Sequence, residues 1–378
     1  MCHFSRQLLL VIITPFLLSI FALNVFAQVP TPGAPLTSQE LVHLVYQLPK
    51  HPELHDQVVA EVRTRGIGFP LTDGMRSLVA AKSGSDTVLR RTLEEAERRR
   101  ANPNTEVRPA ETEVHEVLDR TKNVTLAAAN AMPDFIVRQL IKRSVAYGNT
   151  ANWISQDTLS IGVSYRQTAG EEYKVLAVNG VAPGPDVKQG GEYGDYVGGA
   201  SSTGEYVTGL ASLFKEESRT TFKMVDTDVL RGHRTIVYEF EVQQLYSSLT
   251  LKADKNLIAK VGSRGRVWID REQDRVLRFE QIATEIPGDF PIKAASSTID
   301  YDWVPINERP YLLPIHADIL ISSVYRGTQL VQSRNDIRFR GYQKFGAELK
   351  IVDEVDDADA PPEKPDETKK PNKPPIKP

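Results

Sequence analysis

Cysteine is almost absent from the sequence. The single one, Cys2, precedes the apolar run Leu8–Leu23, and no other occurs among the 378 residues. We expect that leading segment to be removed, which would leave a mature chain without a thiol. Disulfides, thiolate metal sites and cysteine nucleophiles are then excluded, and an exported protein of this kind depends on its hydrophobic core for stability.

The sequence also lacks the short motifs of common enzymes and nucleotide-binding proteins. It contains no GxSxG, HExxH, phosphate-binding loop or GxGxxG pattern. His51 and His55 stand four residues apart on a predicted helix, but no third metal ligand accompanies them. His316 and Asp318 share a strand face, which polar alternation on a half-exposed strand explains as well as proton transfer does. We therefore predict no catalytic residues, no metal and no cofactor.

An excess of charge of one sign is missing as well. The chain has 46 basic and 49 acidic residues, for a formal net charge of −3. Nothing in this balance favours binding to nucleic acid or to an anionic membrane surface.

Residues 1–27 have the composition of a secretory signal peptide. Arg6 supplies a positive charge before the apolar run, and Val25-Phe26-Ala27 offers a cleavage site after Ala27. An uncleaved membrane anchor is the alternative, because the apolar run approaches the length of a bilayer span. We predict cleavage, a periplasmic or secreted protein, and no integral membrane span in the mature chain, which would begin with a Pro-rich connector (28–35).

Residues 36–101 have the pattern of four short helices. Thr37 and Glu40 form a predicted capping box at the first, and Gly66 and Gly84 are predicted to end later ones. We expect this small helical module to dock on another surface. A polar linker containing a short helix (102–122) is predicted to follow it.

The apolar spacing then changes to the period of two that is typical of β-strands. Ile236–Val242 is the clearest example, and about ten antiparallel strands are predicted over residues 123–352. The fold class expected is α+β, with the helical module preceding a large curved antiparallel sheet and its covering helices. The tail 353–378, with seven prolines in its last eighteen residues, is predicted to be disordered.

The segment Gly265–Glu280 is predicted to form a hairpin around the loop 271–274. In the expected register Asp270 faces Arg275, and Trp268 faces Leu277. Both faces of the hairpin carry apolar residues, with Trp268, Leu277 and Phe279 together on one of them. A sheet with one wet face alternates more strictly, so we expect a packed layer on one side and a bound apolar ligand on the other.

A Gly-rich stretch, Gln189–Glu205, leads into a short apolar segment with helical spacing. This segment is predicted to act either as a lid over the sheet or as a helix packed permanently on it. Its candidate ligand-contacting residues are Tyr206, Leu210, Leu213 and Phe214.

Several segments of the β-region resemble a group of exported bacterial proteins, chiefly acidobacterial, of unassigned function. The segments that carry the resemblance are Met132–Phe135, Val178–Gly180, Gly199–Glu205, Val267–Asp270, Val276–Arg278 and Asp300–Tyr301. In general layout these proteins are similar to the LolA/LolB-like lipoprotein carriers. The resemblance implies a half-barrel sheet, helices across its concave side, and a hydrophobic cavity that takes up acyl chains.

Two functions remain open from the sequence. One is an exported protein that binds a lipid or a lipoprotein acyl chain between sheet and helices. The other is an envelope scaffold with a filled core, which would bind a protein partner through its helical module and tail. The small inventory of nucleophiles and bases makes an enzyme the least favoured class.

Overall fold

The computed structural model describes residues 33–84, 86–102, 108–148, 152–184, 200–254, 257–325 and 329–345. The predicted signal peptide, most of the connector, much of the Gly-rich stretch and the predicted disordered tail lie outside these residues. The described residues from Pro35 onward form one compact unit.

The helical module contains four α-helices whose ends follow the capping residues. They are α1 (Ser38–Gln47), α2 (His55–Arg65), α3 (Asp73–Ser83) and α4 (Thr87–Ala101). The predicted capping box is present, since the Thr37 hydroxyl accepts from the Glu40 amide and the Glu40 carboxylate accepts from the Thr37 amide. Gly66 and Gly84 end α2 and α3 with positive φ angles. The apolar stripes meet in a core of their own, formed mainly by Leu36, Leu41, Val45, Val58, Val62, Val79, Leu89 and Leu93.

The segment predicted as a linker with a short helix instead forms a long helix, α5 (Glu111–Asn130). Its buried residues Val117, Thr121 and Thr125 recur every four positions, so they line one face of the helix. Two of the three are threonines, which explains why the apolar pattern is weak in the sequence. The expected boundary between residues 122 and 123 falls inside this helix.

The rest of the described chain is dominated by an open, curved antiparallel sheet of ten strands. Together with the helices it confirms the predicted α+β class. The strand order is β3–β2–β1–β12–β11–β10–β9–β8–β5–β4. The strands are β1 (Phe135–Tyr147), β2 (Ile154–Arg166), β3 (Gly170–Val178), β4 (Thr221–Leu230), β5 (His233–Val242), β8 (Gly262–Asp270), β9 (Val276–Thr284), β10 (Ile292–Ile306), β11 (Arg309–Tyr325) and β12 (Gln329–Lys344); β6 (Thr250–Asp254) and β7 (Leu257–Lys260) pair separately.

One face of the sheet, the inner face, carries Phe279 and is covered by α5 and by the short helix α6 (Val207–Phe214). The Tyr238 hydroxyl donates to the carbonyl of Val114 on α5. Phe214 of α6 stacks on Phe222 with ring centroids 5.5 Å apart. These contacts place the main hydrophobic core between the inner face and the two helices.

The other face, the outer face, carries Arg278 and is covered by the helical module through ion pairs. The Nε and Nη2 atoms of Arg98 on α4 donate to the two oxygens of the Asp228 carboxylate at 3.2 and 3.1 Å. Arg63 of α2 contacts Glu280, and further pairs join Arg91 to Asp318 and Arg99 to Asp226. The module that the sequence predicted to dock therefore docks on the sheet of its own chain.

The hairpin of β8 and β9 confirms part of the predicted register and corrects the rest. The Asp270 amide donates to the Arg275 carbonyl, so the loop 271–274 is closed as expected. A bulge between Trp268 and Ile269 then shifts the pairing, and Trp268 lies opposite Arg278 rather than Leu277. Because opposite residues share a face, Trp268 lies on the outer face while Phe279 lies on the inner one.

No helix in the described part of the chain is long and apolar enough to cross a membrane.

Candidate functional site

A cavity of about 1200 Å³ lies against the inner face of the sheet. Its walls come from the segment 200–205, from α6, from residues 247–253 with the β6–β7 hairpin, and from the inner faces of β8 to β12. Ligand pockets in proteins commonly enclose about 300–1,000 Å³, so a space of this size fits a substantial organic molecule.

Apolar side chains form a large part of the walls. Phe279 and Ile299 sit opposite each other on β9 and β10, and Leu210 and Leu213 reach the cavity from α6. The other main apolar residues are Val242, Leu251, Ile292, Ile319 and Ile321. This surface suits an alkyl or acyl chain, because apolar contact removes both surfaces from water and leaves no buried polar group without a hydrogen-bond partner.

Hydroxyl groups occupy much of the remaining wall, which also includes the charged residues Glu205 and Lys252. Strand residues with small side chains alternate with the apolar ones at Ser263, Ser297, Ser323 and Ser333, with Gln281 beside them. Each serine leaves space in front of the sheet that a larger residue would fill. The cavity thus combines an apolar surface with neutral hydrogen-bonding groups.

Glu205 is the carboxyl-bearing residue among the described residues that border this cavity. It borders the cavity and its residue surface is only 2% exposed. Neither oxygen of its carboxylate makes a hydrogen bond of good geometry within the described residues. Burial raises the pKa of the Glu205 carboxyl to about 7, since the neighbouring Ser202 hydroxyl, which lowers it, does not offset the loss of water.

A second carboxyl and several tyrosines surround this position. Glu171 accepts from the Tyr173 hydroxyl and from the Gly204 amide, and burial raises its pKa too. The Tyr301 hydroxyl donates to the backbone carbonyl of Glu205 at 3.1 Å, which holds the segment before α6 against β10.

The structure brings together only part of the predicted ligand-contacting set. Leu210, Leu213 and Phe279 border the cavity. Tyr206 and Phe214 are buried in the main core, where Tyr206 packs against other aromatic rings, and Leu277 is buried there as well. Whether the segment from Tyr206 to Phe214 opens as a lid stays a prediction.

Trp268 does not share a surface with Phe279, which corrects the predicted grouping. Its indole N–H donates to the Asp228 carboxylate at 3.1 Å, and Arg278 stands over its ring. The bulge that places Trp268 on the outer face cannot be recognised from the alternation of apolar and polar residues in the hairpin sequence. Trp268 therefore belongs to the ion-paired contact between sheet and module.

The histidines weighed for chemistry have structural partners. His55 contacts Asp86, the N-cap residue of α4, and His316 contacts Asp300 and Asp336 on neighbouring strands of the outer face. Asp318 pairs with Arg91 and Arg334. Among the described residues no group of histidines and carboxylates has the arrangement of a metal site.

Sequence reasoning missed Glu205 and the serines of β10 to β12. Alternation in those strands marks which residues share a face, but it does not mark which stretch of that face is left uncovered by helices. The acid itself follows a Gly-rich stretch without any pattern that distinguishes it from a surface glutamate.

No family model matches the chain, and no curated protein matches it. Among solved structures it is similar to a DUF1329 family protein from Desulfovibrio piger, with 8% identity and a TM-score of 0.29 over 62% of this chain and 95% of that one. It is also similar to a domain provisionally described as an outer membrane lipoprotein-sorting protein from Vibrio parahaemolyticus, with 13% identity and a TM-score of 0.23 over 61% and 93%. A complex of MucA and MucB from Pseudomonas aeruginosa gives 9% identity and a TM-score of 0.18 over 59% and 98%.

All these TM-scores are below 0.5, so the likenesses assign neither a family nor a function to the chain. None of them shows an acidobacterial origin, which stays a prediction from the sequence.

Proposed function

We propose that this protein is an exported binding protein of the cell envelope that holds a lipid or a lipoprotein acyl chain in the cavity of its inner face. The observation that carries the proposal is the cavity itself, with about 1200 Å³ bordered by Phe279, Leu210 and Leu213. A core that only stabilised the fold would be filled, since protein interiors pack as densely as organic crystals.

The walls of the cavity include both apolar side chains and hydroxyl groups, which favours an amphiphile as the ligand. Isoleucines of β10 and β11 provide apolar contact, while serines such as Ser297 provide neutral hydrogen-bonding groups in the same space. An alkyl chain would cover the first and a polar head the second, so neither kind of group would be left without a partner.

The proposal treats the protein as a carrier or binding protein rather than an enzyme. Many ionisable residues of the outer face form ion pairs, either with the module, as Asp228 and Glu280 do, or with one another, as Arg278 and Asp300 do. The sheet separates these pairs from the cavity on its inner face. The predicted signal peptide supports a periplasmic or secreted location.

The test is uptake of an apolar fluorescent probe, N-phenyl-1-naphthylamine, by the full chain, together with native mass spectrometry of the freshly purified protein. Ser297→Phe places a ring in the cavity opposite Ile319, and we expect it to weaken probe binding by about tenfold or more. Ser160→Phe is the matched control, because Ser160 is half-buried on β2 and does not border the cavity. We expect it to bind as the wild type does.

Equal binding by Ser297→Phe and the wild type would place the probe elsewhere and contradict the proposal. A wild-type protein that takes up no probe and carries a protein partner at fixed stoichiometry would favour the scaffold hypothesis instead.

A further inference from the structure

Glu205 lies where the polar end of a ligand in the cavity would be recognised. Its side chain is almost fully enclosed, it borders the cavity, and its two carboxylate oxygens have no well-formed hydrogen bond among the described residues. Buried carboxylates are normally paired or hydrogen-bonded, because an unpaired one loses its hydration without compensation. A group in the cavity that donates hydrogen bonds would supply the missing partners.

The charges around Glu205 specify the sign of that group. The charge of Glu171 on β3 acts on the Glu205 carboxyl and helps to raise its pKa. The charge of Glu205 in turn helps to raise the pKa of four tyrosines, Tyr173, Tyr206, Tyr301 and Tyr342. No lysine or arginine is among the groups of the described residues that act on its carboxyl. The surroundings of the Glu205 carboxyl are therefore acidic, and Lys252, the lysine among the described residues that border the cavity, is not one of the groups that act on it.

We propose that Glu205 binds the protonated amine of an amphiphile whose alkyl or acyl chain lies against the apolar wall of the cavity. This inference rests on the proposed function and names the head group of its ligand. The ammonium would supply both a positive charge and up to three N–H donors, which match the unpaired carboxylate.

Other head groups fit the same position less well. A carboxylate or phosphate would meet Glu205 and Glu171 as like charges in a poorly hydrated space. An alcohol donates one neutral hydrogen bond and leaves the charge of Glu205 unpaired. Hydrogen bonds that involve a charged group are roughly twice as strong as neutral ones, which separates an amine from an alcohol of equal chain length.

The experiment compares decylamine, decanol and decanoate as competitors that displace N-phenyl-1-naphthylamine from the full chain at about pH 8. The amine is then still protonated, as its pKa resembles that of lysine, about 10.4. We expect the wild type to bind decylamine at least about tenfold more tightly than decanol, and decanoate most weakly. Glu205→Gln should remove the preference for the amine and keep the affinity for decanol.

Two controls keep the result interpretable. Glu172→Gln, on the same strand as Glu171 but exposed and paired with Arg166, should keep the preference for the amine. A pH series on the wild type needs no variant: the preference should shrink as the pH falls through about 7, where the Glu205 carboxyl gains a proton.

The possible outcomes distinguish a failure of the role of Glu205 from a failure of the proposed binding function. Equal binding of decylamine and decanol by the wild type, or a preference that survives in Glu205→Gln, overturns the role of Glu205 while leaving a cavity for apolar ligands. If none of the three decyl compounds displaces the probe, the proposed function fails as well.

Discussion

Glu95 on α4 is buried at the contact between the helical module and the outer face of the sheet. Its side chain is 7% exposed, and its carboxylate reaches Arg278 only at 4.0 Å, while Glu280 lies nearby as a like charge. Burial and Glu280 together raise the pKa of the Glu95 carboxyl above its ordinary value. The charged form of Glu95 is therefore less stable in the folded protein than in the unfolded chain.

Replacing this carboxyl should make the protein more stable at neutral and alkaline pH. Because its pKa is raised on folding, the folded state binds more protons than the unfolded one between the two pKa values, and stability falls as the pH rises through that interval. We expect Glu95→Gln to raise the free energy of unfolding by about 1 kcal/mol at pH near 8, which is a Tm increase of roughly 2 °C or more. At about pH 4 the two proteins should unfold alike.

Thermal unfolding at both pH values checks this expectation, with Glu94→Gln as the control. Glu94 precedes Glu95 on α4, and its carboxylate pairs with Arg76 at 2.7 Å. Removing the charge of Glu94 should therefore bring no gain in stability. A lower Tm for Glu95→Gln at about pH 8 would show that the contact with Arg278 outweighs the cost of burial.

At the scale of elements, one carboxylate joins α4 to the strands β4 and β8, which flank β5 in the sheet. Asp228 of β4 is 3% exposed and accepts from Arg98 of α4 and from the indole of Trp268 on β8. Its other oxygen also accepts from the Val229 amide at 2.7 Å. Every polar group at this point has a partner, which is the condition under which a buried ion pair is tolerated.

Breaking this pair from one side should be more costly than removing both charges. We expect Asp228→Asn to lower the free energy of unfolding by about 3 kcal/mol, since it leaves the half-buried Arg98 without its counter-charge. Combined with Arg98→Met, the loss should be smaller than the sum of the two single losses by about 1 kcal/mol or more. Urea unfolding of the four proteins measures this coupling, and strictly additive losses would contradict it.

The elements themselves were predictable wherever a local signal fixes them. Thr37 with Glu40, and the glycines at 66 and 84, mark helix ends by chemistry that acts within one turn. Asn179 and Gly180, which follow β3, both have positive φ angles, the backbone conformation that an Asn-Gly turn typically adopts. The bulge beside Trp268 and the full length of α5 depend on packing between distant segments, which leaves no comparable local pattern.

The candidate site was predictable to a smaller extent. Periodicity identified Leu210, Leu213 and Phe279 as apolar residues of covered surfaces, and all three border the cavity. It also grouped Trp268 with them, because a period of two cannot register an extra residue in the partner strand. Glu205 acquires its significance only from burial, and burial of a single carboxyl is not encoded in its neighbours along the chain.

At the scale of the whole molecule, the two faces of the sheet are covered by layers of different chemistry, which we call the inner and the outer cover. The inner cover, α5 and α6, buries aromatic and aliphatic side chains in the main core. The outer cover, the helical module, has its own apolar core and meets the sheet through charged residues such as Arg63, Arg91 and Arg98. The outer contact should therefore stabilise the fold less than the inner one, because the attraction within a buried ion pair is largely offset by the cost of removing both charges from water.

The module and the sheet should nevertheless unfold together. Releasing the module would leave Asp228 and Glu280 without their arginine partners and would take one of two arginines from Asp318, so an intermediate with the sheet folded and the module detached should be unstable. In urea we expect the far-UV circular dichroism, which reports the helices, and the tryptophan fluorescence, to which Trp268 contributes from this contact, to change with the same midpoint. Asp228→Asn weakens the contact and should split the transition, with the change in Trp268 fluorescence and the module's part of the helical signal preceding the loss of the remaining signal. Separate midpoints in the wild-type protein would instead show that the module is an independent folding unit whose ion pairs contribute no coupling.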